Sequence, residues 1–232
     1  WLADRISAMA TLGLAMGWWI VGSIATDLWG RIRPVPGLTL AQRALRLPRA
    51  VVGMMLAHLG VAVFIFGVTL VNTYQVERDV KMLPGDKTSV GGYDFTFKSA
   101  REVAGPNYAA MRGLIEVTRD GKPVTTMEPE KRIYRVQRNP MTEAAISSGI
   151  TRDLYVSMGE QVEGGAWIVR VYYKPFVNWI WGGCAVMALG GLLAATDRRY
   201  RRRSVEADEA VQPLVHRADA LPQGAHKVAT GA

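Results

Sequence analysis

Residues 50–73, AVVGMMLAHLGVAVFIFGVTLVNT, contain no acid and no base, and their one ionisable side chain is His58. At about 1.5 Å of rise per residue this run exceeds the roughly 20 apolar residues that a helix needs to cross a bilayer core. It is expected to be a membrane helix. Every other part of the chain has to be arranged around such an element, because a span fixes which flanking segments share a side of the membrane.

Lipid offers an imidazole no water, so a histidine well inside a span must face protein, a cavity, a metal or a haem. Three readings of His58 stay open on the residues alone. It can hydrogen-bond a neighbouring helix, a contact worth about 1 kcal/mol. It can ligate haem iron, since Met54, Met55, Val61, Ala62 and Ile65 share its helical face and Gly53, Ala57 and Gly60 lie close by, an apolar and partly small wall. It can also join Met54 and Met55 as a soft copper(I) site, although methionines in such helices usually fill space.

Charge is concentrated outside three long apolar runs, which suits a membrane protein with a soluble insert better than a globular enzyme. The net charge of +8 is local: residues 30–49 hold five arginines and no acid, and residues 197–203 hold five arginines and one acid. Each cluster abuts an expected span. The positive-inside rule therefore accounts for both without nucleic acid and places them in the cytoplasm. The single cysteine, Cys184, lies in an apolar run, which excludes an intrachain disulfide and thiol exchange by a CxxC pair.

In chain order, residues 1–29 are expected to form a first span, from about Ile6 to Trp29, with a short outer start. Gly13 and Gly17 make a GxxxG pair suited to close helix approach, Trp18 and Trp19 fall in mid-span, and Asp27 is read as a boundary residue. Residues 30–49 are broken by Pro34, Pro36 and Gly37, then continue as an arginine-bearing amphipathic segment on the cytoplasmic surface. After the His58 helix, residues 74–176 alternate apolar and polar side chains in Tyr93–Ser99, Leu114–Met127, Arg132–Gln137, Asp153–Met158 and Ala166–Tyr173, as half-buried strands do. Asp120-Gly121 is a hairpin signal inside the second of these. A small antiparallel β domain, sandwich or partly open barrel, is expected there, on the outer side.

Residues 177–196 form the third expected span. Trp179 and Trp181 mark its outer end, and Gly190, Gly191, Ala194 and Ala195 form small pairs four apart. Residues 197–232 give a basic stop and then a polar tail expected to be disordered, so its His216 and His226 are not assigned as ligands. The chain opens on Trp1 without the order of a signal peptide, which suggests the C-terminal part of a longer protein. The fold class is thus three transmembrane helices with an inserted all-β domain outside. No internal repeat suggests a transport pathway.

Met55–Val68 (MLAHLGVAVFIFGV), the DLYVSMG stretch from Asp153, and Arg170–Arg201 (RVYYKPFVNWIWGGCAVMALGGLLAATDRRYR) together resemble the C-terminal third of CcmF, the haem lyase subunit of cytochrome c maturation. The resemblance spans Gly30–Arg203. It implies a polytopic bacterial inner-membrane protein that holds a b-type haem between two histidines on different helices and takes part in joining a second, delivered haem to the CxxCH thiols of apocytochrome c. By its place in AHLG, His58 matches one of the two axial ligands. The other ligand, the tryptophan-rich haem-handling segment and its flanking histidines have no counterpart in this chain, since Trp18-Trp19 lies within a span and lacks the acidic ending of that motif. The implied partners are the N-terminal part of the same protein, the haem chaperone, the subunit that handles apocytochrome thiols, and apocytochrome c, with the chain inactive by itself. A non-enzymatic reading remains beside this one, in which a membrane-anchored β domain recruits partners and His58 only packs.

Overall fold

Apolar runs without water must satisfy their backbone groups internally, and a helix does so within one segment. A computed structural model describes residues 7–33, 39–136 and 138–197. Pro34, Pro36, Gly37, Gln137, the start of the first run, and the tail with Arg198–Arg203, His216 and His226 lie outside the described residues. Among the described residues, three helices are long and apolar enough to cross a membrane: α1 (Ala8–Arg31), α3 (Arg49–Tyr74) and α4 (Val177–Ala195). Ser7 caps α1 through its side chain, accepting from Ala10 N–H at 3.1 Å. Between α1 and α3 lies the short α2 (Leu40–Leu45). Its start is a reciprocal cap: Thr39 N–H donates to Gln42 Oε1 at 3.0 Å, and Gln42 N–H to Thr39 Oγ1 at 3.3 Å.

Helix α3 is central and antiparallel to both neighbours. Gly13 and Gly17 of α1 meet Thr69 and Phe66, so the GxxxG pair does face α3. Trp18 touches Phe66 edge-on, with ring centroids 5.6 Å apart, while Trp19 points away from the described helices. On the other side, Gly53, Gly60 and Gly67 recur every seven residues along α3. They face Gly190 and Ala194, Gly183 and Met187, and Ile180 of α4, backbone against backbone. Pro48, at the N-cap of α3, makes no side-chain cap. Asp197 takes part of that task from beyond α4, accepting from Ala50 N–H at 3.0 Å where the helix dipole favours an anion.

The β domain joins α3 to α4 through ten strands. One sheet runs β1 (Val76–Met82), β10 (Trp167–Pro175), β9 (Arg152–Gln161), β8 (Ala145–Ser147). The other runs β2 (Lys87–Val90), β3 (Tyr93–Ala104), β4 (Tyr108–Arg119), β6 (Glu130–Tyr134), β7 (Pro140–Glu143), with β5 (Lys122–Met127) also on β4. All ladders are antiparallel. Period-two alternation buries Phe95 and Phe97, Ile115 and Val117, Leu154, Val156 and Met158, and Val169 and Val171 between the sheets. The β4–β5 turn takes positive φ at both Asp120 (50°) and Gly121 (74°), as a two-residue hairpin requires. The expected class, apolar helices with an inserted all-β domain, holds. Several strands outrun the alternating segments: β3 continues to Ala104 and β4 begins at Tyr108, past a bulge between Phe97 and Ser99.

Candidate functional site

His58 projects from α3 toward α1 into an open groove of about 190 Å³ lined by Ile20, Ser23, Ile24 and Asp27 of α1 and by Met54, Met55 and His58 of α3. The α1 residues follow helical spacing on one face, in line with Gly13 and Gly17. The glycines let the two helices close at one end, and the larger residues hold them apart at the other.

The imidazole makes one hydrogen bond: Nδ1 lies 2.8 Å from Met54 O, one turn back on the same helix. A carbonyl oxygen only accepts, so Nδ1 carries a proton, and in the neutral ring Nε2 is then the nitrogen with the lone pair. Metal-ligating histidines usually carry such a bond on the nitrogen that does not bind metal, because it fixes tautomer and ring orientation. A histidine serving as packing glue would instead bond another helix. The side chain is exposed in this chain, as is Met54, whereas Met55 is buried.

Asp27 pairs with Arg31, whose Nε–H donates a bifurcated bond to both carboxylate oxygens, each at 3.0 Å. Its carboxylate is therefore neutralised where the groove ends. The sequence offered Asp27 only as a boundary residue. Its place beside His58 follows from the antiparallel pairing of α1 and α3, foreshadowed only by the spacing Gly13, Gly17, Ile20, Ile24, Asp27. Met54, Met55 and His58 do line one groove, but the donor set is thin, with one imidazole nitrogen and no group of three or more His, Cys, Asp or Glu among the described residues. For a flat macrocycle the residues present fit as one wall. An oriented Nε2, small and apolar neighbours and a neutralised acid suit it. The volume falls short of the roughly 300–1,000 Å³ of ordinary ligand sites.

Residues 73–175 match the family model described as the CcmF C-terminal β-sandwich. The chain is 48% identical over 210 residues to the cytochrome c-type biogenesis protein CcmF of Escherichia coli, an alignment covering 88% of this chain and 30% of that protein. It is 56% identical over 155 residues to the CcmF of Pseudomonas aeruginosa, covering 67% and 24% respectively. A solved structure named cytochrome c heme lyase CcmF superposes with a TM-score of 0.65 at 19% identity, over 82% of this chain and 31% of that one, a likeness of fold. The chain thus spans about 30% of the length of the E. coli relative.

Proposed function

Because this chain belongs to the CcmF family of cytochrome c-type biogenesis proteins and corresponds to their C-terminal part, we propose that it forms part of a cytochrome c haem lyase, with His58 an axial ligand of a membrane-embedded b-type haem. The observation that carries this reading is the bond from Nδ1–H to Met54 O, which leaves Nε2 of the neutral ring as the lone-pair donor on a side chain that lines the groove. Between two neutral imidazoles, haem iron supplies one-electron chemistry, tuned by burial and by hydrogen bonds to its ligands. The chain's own contribution is to hold the ring of His58 in one orientation, to present Met54, Met55, Ile20 and Ile24 as an apolar wall, and to keep Asp27 paired with Arg31. The second histidine and the remaining walls come from the rest of the protein.

The β-sandwich serves as a docking surface for apocytochrome c and for the other maturation subunits, the haem chaperone and the thiol-handling subunit among them. Its side is periplasmic and the arginine-rich end of the helices cytoplasmic, in a bacterial inner membrane. Catalysis belongs to the assembled complex.

Replacing His58 by alanine in the complete protein is expected to remove the Soret absorbance of the buried haem from the purified complex while α1, α3 and α4 still pack. Haem content and spectrum unchanged in His58→Ala would leave the docking-only reading standing. A copper role predicts instead a loss of metal without any change in a haem spectrum.

A further inference from the structure

The end of the sandwich nearest the helices carries a positive site that nothing above uses. This end is fixed by connectivity: β1 starts just after α3 and pairs Val76 with Tyr173, and Arg152 opens β9 opposite Pro175, just before α4. Here Tyr93, only 5% exposed, stacks on Tyr173 with centroids 6.0 Å apart and plugs the end of the core. Its hydroxyl accepts from Arg119 Nη1 at 3.1 Å and from Arg152 Nε at 3.2 Å. Both guanidinium carbons also lie 5.1 Å from the ring centroid.

Two guanidiniums are thus gathered on a phenol and not on a carboxylate. Elsewhere in the domain clustered arginines are held by carboxylates: the half-buried Arg112 and Arg132 share Glu130, and the exposed Arg170 grips Asp79. At this end the acid nearest Arg119 is its exposed neighbour Asp120, 3.9 Å away. Arg152 spends other donors on Ser147, its carbonyl at 2.9 Å and its hydroxyl at 3.3 Å, and no carboxylate among the described residues pairs with it. Asp153 is turned to Gly149 N–H and the Asn178 amide. Lys122, opposite Arg119 in the ladder, adds a third cation. Burial opposes ionisation of the Tyr93 phenol, yet the hydrogen bonds from Arg152 and Arg119 outweigh it and hold Tyr93 below the usual tyrosine range, which reports a positive potential at this spot.

The same end presents apolar side chains to the level where the helices enter lipid. Ile150, 80% exposed, sits in the β8–β9 loop. That loop is tied to α4 by Asn178 Nδ2 donating to Gly149 O at 2.8 Å and by Phe176 N–H donating to Thr151 O at 3.0 Å. Trp181, near the start of α4, is 70% exposed, and indoles favour this interface.

We propose that Arg119 and Arg152 hold the phosphate of an anionic phospholipid at the membrane surface, with Ile150 seated among its first methylenes. A guanidinium fork matches a phosphate in shape and charge, and a shared anion relieves the repulsion of two like charges clustered on Tyr93. The arrangement would seat the sandwich against the bilayer at a fixed tilt.

The test compares the full chain, purified in non-ionic detergent, with the double variant Arg119→Gln/Arg152→Gln and with Arg119→Gln alone, a substitution at an exposed side chain on the rim of the sandwich. Binding of phosphatidylglycerol and of phosphatidylcholine is counted by native mass spectrometry. The other arginine-rich segments are common to all three proteins, so the difference between them isolates this site. The double variant is expected to bind phosphatidylglycerol about tenfold more weakly, the single variant to show part of that loss, and phosphatidylcholine to be unaffected. Equal phosphatidylglycerol affinity in the parent and in Arg119→Gln overturns the proposal. So does equal affinity of the parent for both lipids, or full displacement of phosphatidylglycerol by inorganic phosphate at the same concentration, which would mark a site for free phosphate.

Discussion

Glu130 is 5% exposed where β6 meets β4, and its carboxylate takes Arg112 Nε on one oxygen at 2.6 Å and Arg132 Nε on the other at 2.7 Å. Burial by itself favours the neutral acid, but the bonds from Arg132 and Arg112 outweigh it and hold the group below the usual glutamate range. A carboxylate whose folded pKa is depressed contributes stability above its unfolded pKa, and that contribution is lost as pH falls through the folded value. Glu130→Gln leaves two guanidiniums facing an amide and should cost about 2–4 kcal/mol at neutral pH. The gap between parent and variant should narrow as pH falls below 4.5. Denaturant unfolding followed through Trp167, the tryptophan buried in the sandwich core, measures both. A gap that stays constant down to acid pH would show that charge at Glu130 is not what holds the strands.

Helix α3 meets α4 through a seam that tolerates almost no side chain. A methyl group added at Gly60 would lie 2.5 Å from Met187 N and 2.7 Å from Gly183 O, both backbone atoms, so the helices would have to separate. One added at Gly182, the residue just before Gly183 in α4, meets nothing within 4 Å. Gly60→Ala is therefore expected to destabilise the helical part by about 1–3 kcal/mol, and Gly182→Ala to be close to neutral. Thermal unfolding of the purified chain in detergent decides, and equal losses in both would remove the seam from the account. The sequence made this contact partly legible. Four-residue pairs such as Gly13 with Gly17 and Gly190 with Ala194 are visible by eye, but the seven-residue repeat of Gly53, Gly60 and Gly67 is hidden in an unbroken apolar run. The strands divided in the same way. Phe95, Phe97, Leu154, Val156 and Met158 alternate with polar residues because one face is buried, so β3 and β9 could be read directly. β1, VERDVKM, turns only Val76, Val80 and Met82 toward the core. Its charged side chains are held outward across β10, Asp79 bonding Arg170 and Glu77 bonding Tyr172, and no alternation of the strand by itself announces that partner.

At the scale of the molecule, antiparallel packing gathers at one end the helix termini that adjoin the arginine-bearing segments of the sequence. The end of α1 at Arg31, the start of α3 at Arg49 and Asp197, just past the end of α4, lie together, with Ala50 N–H bonded to Asp197, while the sandwich occupies the opposite end. That His58 faces a groove with Asp27, and that Tyr93 gathers arginines distant in sequence, depends on helix pairing and strand register. Residue type and local spacing could nominate His58, but offered Asp27 only as a boundary residue and Tyr93 only as the start of a strand. The arrangement yields a sidedness test. With Cys184 replaced by serine, a cysteine at Glu163, in the 3-10 turn between β9 and β10 at the far end of the sandwich, should react with a membrane-impermeant maleimide added to spheroplasts. One at Arg46, just past α2, should react only after the membrane is opened. Reversed labelling would place the arginine-rich end outside against the positive-inside rule, and would overturn the sidedness proposed for the sandwich.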